Sequence, residues 1–135
     1  MRNKIFLLLF LFTIIIFYSC KKQAGKGGNH TVSGKVVARK YDLTTHPGTY
    51  TSPAYNAENE EVYIIYGDDI TFGDHQKTNQ DGSFEFKYLN KGNYKVYAYS
   101  KDSTNSNPSG KIAITKDLVI GSEKTIVVPE IDILR

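Results

Sequence analysis

The chain has 135 residues, of which 40% are hydrophobic and 23% are charged, and its formal net charge is +3. This length suits one domain and excludes a large multidomain enzyme. Because there is a single cysteine, the chain can form no intramolecular disulfide and no zinc cluster built on several cysteines.

The first twenty residues have the pattern of an export signal. Arg2 and Lys4 precede an apolar run from Ile5 to Tyr18. A spanning helix needs about 20 apolar residues, so this shorter run favours the hydrophobic region of a secretory signal peptide. A short uncleaved membrane helix is the alternative interpretation.

Cys20 stands where cleavage of such a peptide is expected, directly after the small residue Ser19. This arrangement resembles the lipobox of bacterial lipoproteins, in which the chain is cut before a cysteine whose thiol is acylated. Tyr18 and Phe17 are bulkier than the residues usual at those positions. The resemblance implies a signal peptide over residues 1–19 and a Cys20 that carries several acyl chains, palmitate among them. Two or more such chains anchor a protein firmly in a membrane.

Residues 20–30 are predicted to form the lipidated cysteine and a flexible tether, because the segment after Cys20 is rich in glycine. From His30 onward, 12 basic residues face 14 acidic ones, so this part has a net charge of −2. The basic character therefore belongs to the signal and the tether, and nucleic-acid binding loses its electrostatic support. In some of the bacterial lipoproteins that this chain resembles, acidic residues just after the lipidated cysteine direct the protein to the cell surface. None directly follows Cys20, so the resemblance implies a periplasm-facing domain on the outer membrane rather than one exposed at the cell surface.

Residues 31–135 have the alternation and the β-forming residues of strands rather than helices. Seven strands are predicted: Thr31–Arg39, Glu61–Tyr66, Asp74–Thr78, Ser83–Tyr88, Asn93–Ser100, Lys111–Thr115 and Lys124–Ile133. Asp81-Gly82 is a strong hairpin signal, and Pro129 marks an edge or a bulge because proline lacks an amide donor. Seven short strands with no helix between them predict a single all-β sandwich.

The stretch from Thr78 to Tyr99 resembles the carboxypeptidase regulatory-like domain, a transthyretin-like β-sandwich common in secreted bacterial proteins. The matching positions are Thr78, Asp81, Gly82, Phe84, Leu89, Gly92, Tyr94, Val96 and Ala98. Upstream, Val32–Val36 matches the opening strand of that family and Glu61–Ile64 matches its second strand. The resemblance implies a seven-stranded Ig-like or transthyretin-like sandwich, and its matching positions build the fold rather than a catalytic site.

The segment 40–59 contains two prolines and no predicted strand. A loop of this length is usually functional or mobile. Its tyrosines, Tyr41, Tyr50 and Tyr55, are candidate ligand-binding residues, because aromatic rings stack on sugars and peptides and are enriched at interfaces.

The chain has ten tyrosines and no tryptophan. Alternation places Tyr63, Tyr97 and Tyr99 on a sheet face opposite the core residues. Because tyrosine is also a good strand former, the favoured interpretation of these three is structural.

No catalytic or metal site is predicted. No serine lies in a G-x-S-x-G elbow, and no glycine-rich phosphate loop follows a strand. The histidines are scattered rather than convergent, as a zinc site would need: His30, His46 and His75. The acidic turn residues are interpreted as solvated rather than as calcium ligands: Asp68, Asp69, Asp74 and Asp81.

The sequence thus predicts a membrane-anchored bacterial lipoprotein that presents a non-catalytic sandwich as an accessory or interaction module. It predicts no cofactor, and its expected partners are the membrane, through Cys20, and an unidentified protein of the cell envelope. The alternative is a lipoprotein that binds a glycan or a peptide through the tyrosine-bearing loop 40–59. An enzyme with an unrecognised site is a third, weaker hypothesis.

Overall fold

The computed structural model describes residues 23–45 and 48–135. The strands of this part are β1 (Lys26–Arg39), β2 (Tyr41–Asp42), β3 (Thr49–Tyr50), β4 (Tyr55–Asn56), β5 (Glu61–Tyr66), β6 (Asp74–Lys77), β7 (Ser83–Leu89), β8 (Gly92–Lys101), β9 (Lys111–Ile120), β10 (Thr125–Val127) and β11 (Ile131–Leu134). Its residues include no helix that is long and apolar enough to cross a membrane. The predicted signal peptide, Cys20 and His46 lie outside the described residues.

The first sheet is built around β1. On one side β1 pairs antiparallel with β7, and near its end with the short β4. It also pairs parallel with β10 along Thr31–Ser33 and with β11 along Val36–Arg39. Four strands from distant parts of the sequence therefore pair with one long strand.

The second sheet has the order β6-β5-β8-β9, and every neighbouring pair in it is antiparallel. The hairpin of β8 and β9 is the longest pairing, running from Gly92 opposite Ile120 to Lys101 opposite Lys111. The strands β2 and β3 form a separate small pair beside the sheets.

The core lies between the two sheets. The first sheet contributes Val32, Val36, Ala38, Phe84, Phe86, Leu89, Ile131 and Ile133, and the second contributes Val62, Ile64, Tyr94, Val96, Ala98 and Ile120. Every second residue of a strand points inward, so alternation in the sequence becomes a buried face here. Two sheets with one shared core form a sandwich, and the predicted fold class, an all-β sandwich, is confirmed.

The residues expected to turn the chain at Asp81-Gly82 do so, but the predicted hairpin is wrong, because β6 pairs with β5 in the second sheet and β7 pairs with β1 in the first. Gly82 has a φ of 79°, a left-handed conformation that glycine adopts without strain. Asp81 accepts a hydrogen bond from the Ser83 backbone N–H at 3.0 Å, which closes the turn. Phe84 then enters the core, as the sequence predicts.

The flexible tether predicted over residues 20–30 is wrong for its described part. Lys26–His30 belong to β1, and Ala24 packs against the core. The Gly25 N–H donates to the Tyr94 hydroxyl oxygen at 2.9 Å, and the Asn90 N–H donates to the Gly25 carbonyl at 2.8 Å. The partners in these contacts lie more than sixty positions away in the sequence, so the local sequence pattern does not predict them. We call this extremity of the sandwich, where Ala24 docks, the Ala24 end.

Two further predictions need correction. The segment 40–59 is not free of strands, since β2, β3 and β4 lie within it. The last predicted strand is two strands, β10 and β11, which separate around Pro129 because a residue without an N–H cannot continue the ladder. The other predicted strands correspond to β1 and β5 to β9, with β9 running five residues beyond the predicted Thr115.

Candidate binding surface on the second sheet

Five aromatic side chains meet on the outer side of the second sheet. The register places Tyr63 of β5 opposite His75 of β6 and opposite Tyr97 of β8. Because Val62 and Ile64 point into the core, Tyr63 between them points outward. We call the cluster of Tyr63, Phe72, His75, Tyr97 and Tyr99 the aromatic face.

Tyr63 is the centre of the aromatic face. Its ring stacks on Tyr97 with centroids 5.0 Å apart and planes 13° apart, and on His75 at 5.7 Å and 25°. Tyr99 and Phe72 approach it edge-on, at 5.7 Å and 5.1 Å. Stacked and edge-to-face pairs at these distances are the favourable aromatic geometries, so the five rings form one packed group.

The outer members of the aromatic face reach solvent. Phe72 is 46% exposed and Tyr99 is 41% exposed, whereas Tyr63 and Tyr97 are half-buried beneath them. Burial raises the pKa of Tyr97 to about 12, and the neighbouring phenols of Tyr99 and Tyr63 add to that shift. Burial also raises the pKa of Tyr63 above its usual value, with Glu61 as the next cause. Near neutral pH these phenols therefore carry their protons and can donate hydrogen bonds.

Charged residues of both signs surround the aromatic face. The His75 Nδ1 lies 3.0 Å from the Glu61 carboxylate at one edge. Lys95 and Lys101 are exposed on β8, the strand that carries Tyr97 and Tyr99. Asp117 of β9 lies opposite Lys95. An apolar centre with a charged rim is the usual anatomy of a protein–protein interface.

The stacking geometry limits what the aromatic face can hold. Both faces of the Tyr63 ring are covered, one by His75 and one by Tyr97. A sugar platform needs free ring faces, and the central rings instead present edges and hydroxyl groups. The arrangement therefore suits a partner that packs against ring edges and accepts hydrogen bonds from phenols.

The tyrosines predicted from the loop 40–59 lie elsewhere. Tyr41 and Tyr50 face each other across the β2–β3 pair with centroids 5.3 Å apart, and the Arg39 guanidinium lies 5.7 Å from the centroid of Tyr50. Tyr55 lies in β4, opposite Ala38 of β1. The prediction of a ligand site at Tyr41, Tyr50 and Tyr55 is untested by this geometry and stays a prediction.

Tyr55 borders a shallow depression of about 510 Å³. It is lined by Lys40, Ser52, Pro53, Ala54 and Tyr55. Tyr41 and Tyr50 are absent from this lining, so the structure does not gather the three tyrosines around one depression.

His30 and Asp74 make local structural contacts. The His30 Nδ1 lies 2.7 Å from the Glu123 carbonyl oxygen, and the Asp74 carboxylate pairs with Lys26 at 2.8 Å. Over residues 23–45 and 48–135, no three His, Cys, Asp or Glu side chains converge as metal ligands would.

No family model matches the chain, and no curated protein sequence matches it. A protein from Pseudomonas aeruginosa, for which carbohydrate binding has been suggested, is similar in structure over 87% of this chain and 94% of its own, at 12% identity and a TM-score of 0.47. The 5-hydroxyisourate hydrolase of Klebsiella pneumoniae is similar over 76% of this chain and 90% of its own, at 20% identity and a TM-score of 0.43. Likeness at this level bears on neither the ligand nor the activity of this chain.

Sequence reasoning identified three of the five rings, as outward tyrosines, but not the cluster. Phe72 lies in a loop between two glycines, where no periodicity assigns it to a face. His75 lies in a short polar strand and was considered as a metal ligand. No sequence signal brings His75 to Tyr63, because their contact depends on the pairing of β6 with β5.

Proposed function

We propose that this chain is a lipid-anchored lipoprotein of the bacterial cell envelope whose sandwich is a non-catalytic binding module. We place its partner, a protein of the same envelope, on the aromatic face. The observation that carries the binding role is the packed group of rings on the outer side of the second sheet.

The anchoring half of the proposal has sequence support. The basic start, the apolar run and the Ser19–Cys20 pair together match the order of an export signal followed by a lipidated cysteine. Several acyl chains on Cys20 would hold the domain at a membrane.

The binding half is supported by composition and position. Tyrosine and phenylalanine are enriched at protein interfaces, where tyrosine often carries much of the binding energy, whereas lysine and glutamate are depleted. The aromatic face has this distribution, with Glu61 and Lys95 at its rim and rings at its centre. A flat sheet surface of this kind fits a protein partner better than a small molecule, which prefers a concave pocket.

Glycan binding is the second candidate. It is favoured by the number of exposed rings and opposed by the stacking that covers both sides of Tyr63. The hypothesis that the loop 40–59 holds a peptide rests on the exposure of Tyr50, which is 61%, and on the depression beside Tyr55.

Site-specific photo-cross-linking in intact cells tests the proposal. A benzophenone amino acid at Tyr99 should give one discrete protein adduct, because Tyr99 is the exposed edge of the aromatic face. The benzophenone amino acid at position 50 is the matched control, because Tyr50 is an exposed tyrosine outside the aromatic face. Adding Phe72→Ser should abolish the adduct while circular dichroism shows an unchanged fold, because Phe72 packs edge-on against Tyr63.

Three results would overturn the assignment of the partner to this surface. They are equal adducts from Tyr99 and Tyr50, an adduct that survives Phe72→Ser, and the absence of any adduct from Tyr99. Binding of the purified protein to a glycan array that disappears with Phe72→Ser would assign the aromatic face to glycans instead.

A further inference from the structure

The chain enters the folded domain beside the loop of residues 67–73. A Cβ placed on Gly67 would lie 3.8 Å from the Cβ of Ala24. Two residues further along the chain, the Lys26 ammonium pairs at 2.8 Å with the carboxylate of Asp74, which directly follows this loop. The loop and the point of chain entry therefore share the Ala24 end.

Cys20 has little chain with which to move away from this end. Only Lys21, Lys22 and Gln23 separate it from the docked Ala24. Since one residue spans at most about 3.6 Å, the Cα atoms of Cys20 and Ala24 are no more than about 14 Å apart. A flexible tether of about ten residues would leave the orientation of the domain free. The three residues between Cys20 and Ala24 are too few to do so.

Ile70 is the most exposed large apolar residue at the Ala24 end. Its side chain is 99% exposed, and it stands midway in the loop between Gly67 and Gly73. The Gly67 N–H donates to the Asn93 carbonyl and the Gly73 N–H donates to the Ile64 carbonyl, each at 2.8 Å. Both ends of the loop are therefore fixed to the second sheet, and Ile70 is held clear of the core.

We propose that the Ala24 end rests on the lipid surface that holds Cys20, with Ile70 inserted into the interfacial layer of that surface. This inference rests on the proposed lipid anchor. It is carried by the length of chain between Cys20 and Ala24 together with the exposure of Ile70. An isolated apolar side chain in water gains free energy when it enters an apolar environment, and here the anchor brings that environment within reach.

The charges of the loop set the depth of this contact. Asp68 and Asp69 precede Ile70, and carboxylates are costly to move into hydrocarbon. They keep the loop backbone at the level of the headgroups, so only Ile70 descends further. Lys21 and Lys22 follow Cys20 in the sequence, and lysines beside an acylated residue favour anionic headgroups.

The single cysteine and the absence of tryptophan allow a direct test. The chain from Cys20 to Arg135 contains every core residue and is coupled through its only thiol to maleimide lipid in phosphatidylcholine vesicles. Ile70→Trp supplies the only indole, and brominated phosphatidylcholine quenches it on contact. We expect a blue-shifted emission that is strongly quenched in the coupled protein.

Val127→Trp is the matched control. Val127 is also β-branched and 74% exposed, but it lies in β10 opposite Ser33, several residues along β1 from the Ala24 end. Its indole should keep the emission and the intensity of the uncoupled protein. Equal quenching at the two positions, or none at position 70, would overturn the proposal. Equal quenching of Ile70→Trp with its thiol blocked would assign the contact to the indole itself and also overturn it.

The outcome of this test is independent of the outcome of the test of the anchor. Chemical coupling provides the attachment whether or not cells acylate Cys20, so the vesicle result reports only the orientation of the domain. Unchanged lipid labelling of Cys20→Ser in cells would remove the anchor without altering the vesicle measurement. Photo-cross-linking from position 70 to a protein rather than to lipid would replace the membrane by a protein as the occupant of this end.

Discussion

Asp102 is a buried carboxylate at the start of the turn between β8 and β9. One of its oxygens accepts hydrogen bonds from the Thr104 N–H at 2.8 Å and the Thr104 hydroxyl at 2.6 Å. The other accepts from the Asn107 N–H at 2.7 Å and the Ser106 hydroxyl at 3.2 Å. These donors hold the pKa of Asp102 down at about 2, the Thr104 hydroxyl contributing most.

This depressed pKa predicts a stability that depends on pH. An aspartate in an unfolded chain has a pKa of about 3.9, so ionised Asp102 stabilises the folded state above that pH. The contribution disappears as the pH falls to about 2. We therefore expect Asp102→Asn to lower the Tm at neutral pH by several degrees and to match the parent protein near the acid limit.

Thermal melts over a pH series measure this effect. Asp117→Asn is the control, because Asp117 is an exposed aspartate on β9. It should leave the Tm close to that of the parent protein at each pH. A deficit of Asp102→Asn that stays constant down to the acid limit would show that the charge of Asp102 is not what stabilises the turn.

The outward tyrosines show how much of the aromatic face the sequence predicts at the level of single residues. Alternation in β5 and β8 is sufficient to place Tyr63, Tyr97 and Tyr99 away from the core, and the structure agrees. Whether these rings touch depends on which residue of one strand lies opposite which residue of the next. That register is a property of strand pairs, so the sequence supported the direction of each side chain but not the cluster.

At the scale of elements, the Phe84 ring of β7 lies so close to Gly34 of β1 that a side chain at that position would collide with it. A Cβ on Gly34 would lie 2.5 Å from the Phe84 Cζ and 3.2 Å from the Val128 Cβ. The Phe84 ring is itself buried in the core, so it has little room to withdraw. The glycine thus allows the ring of one strand to lie across the backbone of the other.

We expect Gly34→Ala to lower the free energy of unfolding by about 1–3 kcal/mol, the usual cost of an added methylene in a packed core. Gly121→Ala is the control, because a Cβ there would meet no atom within 4 Å. Urea unfolding of the two variants provides the measurement. Equal stability of Gly34→Ala and the parent protein would mean that Phe84 and β7 shift to accommodate the methyl group.

The elements that sequence predicted well are those whose signal is local. The strands β5, β6, β7 and β8 match their predicted ranges within one residue at each end, since alternation and turn residues bound them. The start of β1 was missed because Lys26–Asn29 look like a linker. That segment is ordered by β7, with Lys26 opposite Leu89, and by Asn90, whose amide donates to the Lys26 carbonyl at 3.0 Å.

At the scale of the whole molecule, the proposed anchor makes a prediction that is independent of the fold. Cys20→Ser removes the thiol on which acylation depends, so the variant should lose metabolic labelling with radioactive palmitate and accumulate with its signal peptide attached. Autoradiography reports the first effect and the apparent mass of the protein reports the second. Serine differs from cysteine by one atom and leaves the described domain untouched, so a change of fold is not expected.

Cys20→Ala provides the matched comparison, because it removes the same thiol with a different side chain. The two variants should behave alike. Labelling and processing that persist in both would contradict the lipoprotein assignment, because neither could then depend on the Cys20 thiol.

The parallel pairing of β1 with β10 and β11 also bears on how fast the chain can fold. Val36 pairs with Ile131, so the first sheet joins the two extremes of the domain. Pairings between distant residues slow folding, because loop entropy is lost before any contact forms. A nascent chain cannot complete this sheet until its last residues are free. Under the proposed export, this delay keeps the chain unfolded while it crosses the membrane, and the first sheet closes once β11 has emerged.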